Sequence, residues 1–240
     1  MNITPETQVA EIASHNPATI RVFQRYGIDF CCGGKRPLRA VCEEKQMTFG
    51  ELQRALDAVE ASPAEEVPAT APLPELIRRI VETYHADLRE ELPRLGQMVE
   101  KVLNVHGARH AEIAPLAVTY RAMRAELEMH MLKEEKVLFP YIEKLESLAA
   151  AGQPLNAHPF IDAPIGMMEH EHDDAAQALA RMRELTGGYT PPADACNTFR
   201  GLYHGLAELE KALHEHIHLE NNVLFPRAAR LEKELCGVLV

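Results

Sequence analysis

The chain has 240 residues, 46% of them hydrophobic, no Trp and a formal charge of −11, enough length and apolar content for one large domain or two smaller ones with buried cores. The acidity argues against nucleic acid and against a polybasic membrane contact, and no apolar run approaches the roughly 18–20 residues of a membrane span. Five Cys, in a sequence that starts without a basic and apolar leader, point to a cytoplasmic home with no structural disulfide framework.

Few aromatics and frequent Ala, Leu and Glu lean towards helix, and the expected class is all-α. Residues 1–60 read as a small helical domain. Its helix starts lie near Asn16-Pro17 and Arg36-Pro37, and Gly27, Gly33 and Gly34 punctuate the loop between. Its expected core is Val9, Ile12, Ile20, Phe23, Tyr26, Leu38, Val41, Phe49, Leu52 and Leu56. Residues 61–74, rich in Pro and Ala without periodicity, read as a linker. Residues 75–240 carry four long helical patterns, expected near 74–105, 110–149, 163–186 and 192–235. Short connections favour an up-down-up-down four-helix bundle. Pro115, Pro140 and Pro226 fall inside these patterns and predict kinks or turns near an end.

Apolar residues recur at alternating spacings of three and four, as a bundle core requires. The second seam reads Tyr120, Met123, Leu127, His130, Glu134, Val137, Tyr141, Leu145. The fourth reads Phe199, Leu202, Leu206, Leu209, Leu213, His216, Glu220, Val223. The first carries His85 between Val81 and Leu88, and the third carries His172 between Met168 and Ala175. One stretch is written twice: residues 130–140 and 216–226 each hold a His, a Glu four residues later and a Val-Leu-Phe-Pro tail.

A His and a Glu at i and i+4 share a helix face. His85 precedes His130 by 45 residues and His172 precedes His216 by 44, so the chain reads as two helical hairpins, each donating His and then His-x-x-x-Glu. At about 1.5 Å per residue all of these groups fall in one layer of an antiparallel bundle. Six polar groups in an apolar layer are costly unless something pairs with them. The expected metal ligands are therefore His85, His130, Glu134, His172, His216 and Glu220. Imidazole and carboxylate without thiolate suit iron or manganese at two linked sites, and zinc would also bind such donors. Carboxylates bridging two metals in a helical bundle favour a non-haem di-iron centre, with Glu134 and Glu220 as bridges and positions open for an oxo group or a diatomic.

The other His are weaker candidates. His170 should face away from His172, His214 and His218 share a face of their own, and His106 and His110 bracket a loop. Glu135 is expected on an exposed face. Glu126 and Glu171 could line an access path or support a ligand.

The second motif is Asp29-Phe30-Cys31-Cys32-Gly33-Gly34-Lys35-Arg36. Adjacent Cys in a Gly-rich loop beside two cations suggest exposed, activated thiols, so Cys31 and Cys32 are the candidate reactive residues. Cys42, Cys196 and Cys236 have no evident partner and read as ordinary helical Cys.

The bundle resembles the hemerythrin-like family of His/Glu-liganded di-iron proteins. The stretch from Asn16 to Lys35 resembles the short Cys-Cys domain of the repair-of-iron-centres (RIC) family, and the order of the two domains matches. In that family the six seam His and Glu fall on metal-ligand positions, and Cys31 and Cys32 on the cysteine pair. Oxygen-carrying hemerythrins use five His; only four stand in the seams here, which argues against a simple oxygen carrier. The resemblance implies a bacterial protein of the response to nitric oxide and oxidants. Its cofactors would be two Fe ions and its partners damaged or apo iron–sulfur proteins, to which it donates iron. Two alternatives are an enzyme that binds and reduces nitric oxide at the di-iron centre, and a non-catalytic sensor of oxygen or nitric oxide. The sequence allows a homodimer through the small domain without singling out residues for it.

Overall fold

The computed structural model describes residues 1, 3–59, 70–155 and 157–237. Most of the expected linker, residues 61–69, lies outside the described residues. Among those described there is no strand, only an isolated antiparallel bridge between Gln8 and Pro37, and the chain is all-α.

Four short helices come first: α1 (Val9–His15), α2 (Ile20–Arg25), α3 (Leu38–Glu44) and α4 (Phe49–Asp57). Their ends are written in local chemistry. Thr48 and Glu51 form a reciprocal capping box at the start of α4. Helix α2 stops at Gly27, whose φ of +60° only glycine adopts readily. There the N–H of Gly27 donates to Gln24 O and that of Ile28 to Phe23 O, the double bond of a Schellman end. This stop turns Ile28 inward and leaves Tyr26, expected in the core, exposed.

The long helices follow: α5 (Leu73–Arg79), α6 (Ala86–His106), α7 (Ile113–Lys133), α8 (Phe139–Ala150), α9 (Asp162–Leu185), α10 (Asn197–Leu219) and α11 (Phe225–Leu235). Helix α10 begins at Asn197 rather than near 192, because the Pro191-Pro192 pair leads into a turn closed by Ala195 N–H to Pro192 O.

Three of the long helical runs are interrupted by π turns: π1 (Ile80–His85), π2 (Glu134–Leu138) and π3 (Glu220–Leu224). The prolines account for the last two. Pro140 and Pro226 have no N–H, so the carbonyls four residues earlier cannot make the usual α bond. The ladder shifts instead: Phe139 N–H donates to Glu134 O and Phe225 N–H to Glu220 O, each five residues back. No proline stands directly after π1, the next being Pro93 within α6, and nothing in its sequence explains it.

The chain divides into two compact units. One comprises Met1–Arg79, Ile142–Asp162 and His214–Val240; the other comprises Ile80–Tyr141 and Ala163–Leu213. The first unit has a core around Val9, Phe23, Phe30, Leu38 and Leu52. In the second, segments of α6, α7, α9 and α10 share one core, including Leu92, Tyr120, Leu179 and Leu206. The buried Tyr120 hydroxyl donates to Leu92 O at 2.7 Å.

The π turns correct the expected seams. In the first, Ile80 and His85 are fully buried five residues apart while Val81 is only half-buried. In the second, Val137, expected inside, is 59% exposed and Leu138 is 3% exposed: the wider turn carries Val137 away and brings Leu138 in. The equivalent Val223 is buried, on a turn against which α1 packs. Leu138→Ala should therefore cost about 2–5 kcal/mol of unfolding free energy, and Val137→Ala under about 0.5 kcal/mol. Urea unfolding of the two variants checks the register.

Candidate metal centre

The second unit gathers four of the expected ligands. His85 closes π1, His130 lies in the last turn of α7, Glu134 opens π2 and His172 lies mid-way along α9. All four are buried, none more than 2% exposed. Glu134 Oε2 lies 3.3 Å from His85 Nε2 and 3.4 Å from His130 Nε2. His130 Nε2 and His172 Nε2 face each other at 3.0 Å. Ligand atoms of His130, Glu134 and His172 all lie within 4.8 Å of one another, a group able to hold a metal ion.

The far sides of two imidazoles explain their aim. His85 Nδ1–H donates to Glu135 at 2.7 Å, and Glu135 also accepts from Arg89 at 2.5 Å. His130 Nδ1–H donates to Glu171 at 3.0 Å, and Glu171 also pairs with Lys133. A carboxylate at Nδ1 fixes the ring and leaves the Nε2 lone pair for a cation, the usual support of a metal-ligating His. Burial pushes the Glu135 and Glu171 carboxyls up. The hydrogen bonds from His85 and Arg89 on one, and from Lys133 and His130 on the other, outweigh it and hold both below the ordinary carboxylate range. Glu171 was legible as a supporting residue. Glu135 was not: it was expected on an exposed face, and its side chain is only 19% exposed because it sits in the widened first turn of π2. A cavity of about 440 Å³, lined by Glu126, His130, Lys133, His170, Glu171 and Asp174, opens onto the His130 side.

The first unit holds the remaining pair. His216 Nε2 lies 2.9 Å from Glu220 Oε1, with both residues buried. The same stretch carries two polar residues on another face. His218, expected among the weaker candidates, is buried, and desolvation pushes its pKa down to about 4. Its Nδ1–H donates to Phe30 O at 3.0 Å, and Asn222 Nδ2 donates to Cys31 O at 2.9 Å. The repeat held the clue: positions 132 and 136 of the first copy are Leu and Lys, where the second has His218 and Asn222. Those differences mark the face that meets the Cys-Cys loop.

The loop corrects the expectation of exposed, activated thiols. Cys31 is 3% exposed and only Cys32 is partly accessible. The hydrogen bond with Cys32, burial and the nearby Asp29 push the Cys31 thiol well above its ordinary pKa. Asp29 folds the loop: its carboxylate accepts from the backbone N–H groups of Cys31, Cys32 and Gly33 at 2.8–3.0 Å. At Gly34 a Cβ would meet Phe30 O at 2.6 Å and Ala10 Cβ at 2.7 Å, so this tight pass needs glycine.

Elsewhere, His170 points outward, with its side chain 76% exposed. His106 Nε2 lies 3.2 Å from Cys196 Sγ, and His110 pairs with Asp194. Cys42 is buried in the N-terminal core.

Imidazole and carboxylate donors that converge without any thiolate fit iron or manganese better than a soft metal. Replacing Glu135 by Ala removes the support of His85, and iron affinity should fall about 10–100-fold. Competition with a chelator, monitored by metal analysis, measures it.

Residues 76–228 match the hemerythrin HHE cation-binding domain and residues 5–60 a domain of unknown function, DUF542. The chain is 42% identical to the iron–sulfur cluster repair protein YtfE of Musicola paradisiaca over 228 residues, covering 95% of this chain and 98% of that one. It is 41% identical to the protein of the same name from Pectobacterium carotovorum, with the same coverage. Against that of Yersinia pseudotuberculosis it is 41% identical, covering 90% of this chain and 93% of the relative. With a DUF542 segment followed by a hemerythrin HHE domain and this likeness along nearly its whole length, the chain belongs to the YtfE-type iron–sulfur cluster repair family.

Proposed function

We propose that His85, His130, Glu134, His172, His216 and Glu220 together hold two iron ions, with Glu134 and Glu220 as shared carboxylates, and that the protein repairs damaged iron–sulfur clusters by donating this iron. The observation that carries the reading is the aim of the imidazoles. Two Nε2 atoms lie within 3.4 Å of one Glu134 oxygen, and a third faces His130 at 3.0 Å, while the Nδ1 atoms of His85 and His130 are held from behind by Glu135 and Glu171. The repeat supports counting His216 and Glu220 with them, since they hold the same places in the second copy that His130 and Glu134 hold in the first. The YtfE relatives are named for iron–sulfur cluster repair.

In this reading the iron is cargo as well as resident. When bound, it supplies a redox-active cation pair able to take a small ligand such as nitric oxide or oxygen. The protein's own groups decide how it is held. Four imidazoles confer selectivity, and two carboxylates, exchanging more readily than imidazole, permit release. The cavity lined by Glu126 and Glu171 reaches the His130 side and serves as the access path. Cys31 and Cys32 guide transfer, and the clients are apo or damaged iron–sulfur proteins. The functional division is residues 1–60 for the Cys-Cys domain, 61–74 for the linker and 75–240 for the iron-binding bundle. No helix among the described residues is long and apolar enough to cross a membrane.

Protein purified without oxygen should contain about two coupled irons per chain by metal analysis and Mössbauer spectroscopy. Zinc or no metal, after expression with ample iron, would defeat the proposal. His216→Ala should lower the iron content by about half or more while far-UV circular dichroism stays helical; full iron retention would remove His216 from the ligand set. Cys31→Ala/Cys32→Ala should keep both irons but slow reconstitution of an apo iron–sulfur protein. Unchanged transfer would take the thiols out of the mechanism.

A further inference from the structure

The Cys-Cys loop and a ligand carboxylate share one turn of helix. Within π3, Glu220 is fully buried and lies 2.9 Å from His216, while two residues on Asn222 faces the loop. Asn222 Nδ2 donates to Cys31 O at 2.9 Å and, more weakly, to Phe30 O at 3.4 Å. His218, one turn earlier, donates to the same Phe30 O at 3.0 Å. The Phe30 ring packs between Phe23 and His218, with centroids at 6.4 and 5.6 Å. On the other side Ala10 N–H donates to Gly34 O at 2.8 Å. The loop is thus clamped between α1 and the stretch 218–222, and Cys31 is shut in beneath it.

We infer that π3 links the metal centre to this loop: Asn222 and His218 are positioning residues that hold Cys31 covered while Glu220 is ligated, and loss of the metal frees the loop and exposes the thiol. The link rests on Glu220 being an iron ligand, as proposed above. Its physical basis is that His218, Glu220 and Asn222 stand on one continuous stretch of helix, so a shift of the glutamate moves the two side chains that hold the loop backbone. A cation on Glu220 fixes the position of that stretch. Without it, a buried carboxylate loses much of its compensation and the turn loses its anchor. A two-state element that both partners bias is what coupling between two positions requires, and the coupling is reciprocal: a closed loop favours retention of iron, and an opened loop weakens it. The first copy of the repeat lacks this link, because Leu132 and Lys136 stand where His218 and Asn222 stand in the second.

The test reads thiols rather than activity. Full-length protein is alkylated with iodoacetamide, and peptide mass spectrometry gives the rate at Cys31 relative to exposed Cys196 in the same chain. Iron is measured on every sample. Stripping iron with a chelator should raise the relative Cys31 rate about tenfold, the scale of one or two lost hydrogen bonds. Asn222→Asp, close in shape but without the donor, should raise it similarly in iron-loaded protein, as should Asn222→Ala. Lys136→Ala, the equivalent change in the first copy, should leave it as in the wild type. The same Cys31 rate with and without iron overturns the link, and the same rate in both Asn222 variants as in the wild type overturns the positioning role. Wild-type protein without iron defeats the iron-donor reading instead, and the metal analysis shows it directly.

Discussion

Glu134 and Glu220 are fully buried carboxylates, each set among the apolar residues of a long helical run. An ionised carboxylate taken out of water costs on the order of several kcal/mol unless it meets positive charge and good hydrogen bonds. Much of the fold's local detail answers that cost. His85 and His130 bring their Nε2 atoms to Glu134, and Glu135 and Glu171 hold those rings from behind. Glu135 and Glu171 are only partly buried, and each has a cation of its own, Arg89 and Lys133. Negative charge therefore rises outward from the centre in pairs, each balanced locally, and the buried ends converge on a place suited to a cation.

The backbone takes part in the same arrangement. Glu134 and Glu220 each open a π turn, and both π turns are followed by Phe-Pro. The proline cannot donate to the carbonyl four residues before it, and the phenylalanine ahead of it donates five residues back, to the glutamate's own carbonyl. The Val-Leu-Phe-Pro tail, which reads in sequence as core plus a helix kink, accompanies a widening of the helix at the glutamate. The widened turn also explains why Glu135, next in sequence to Glu134, reaches back to His85.

Much of this was legible in advance because it depends on spacing. His and Glu at i and i+4 share a face, and matched intervals of 45 and 44 residues predict His at similar depth; within the second unit His85, His130 and His172 do gather around Glu134. What escaped the sequence depends on departures from the regular helix and on distant packing. A reading at 3.6 residues per turn puts Val137 inside and Glu135 outside, and the π turn reverses both. The burial of His218 and Cys31 follows from contacts between stretches some 190 residues apart, which no local pattern contains. A Gly-rich loop beside Lys35 and Arg36 suggests an activated thiolate, yet the carboxylate of Asp29 and the packing of Phe30 dominate the actual surroundings of Cys31.

The state of Cys31 bears on what the thiol pair can do in the proposed iron transfer. An exposed thiolate would bind iron as it left and would oxidise readily. A thiol kept protonated by burial, by its neighbour Cys32 and by Asp29 does neither. Such a group is useful only if something uncovers it. The two residues that hold its loop by the backbone, His218 and Asn222, belong to the helix that carries His216 and Glu220, so under the proposed link the opening of the loop and a shift of Glu220 would be movements of one element. Both copies of the repeat keep the His, the Glu and the Val-Leu-Phe-Pro tail, and His218 and Asn222 are among the positions at which the second departs from the first. The second copy thus carries, on the same stretch as its His and Glu, the side chains that bond to the Cys-Cys loop.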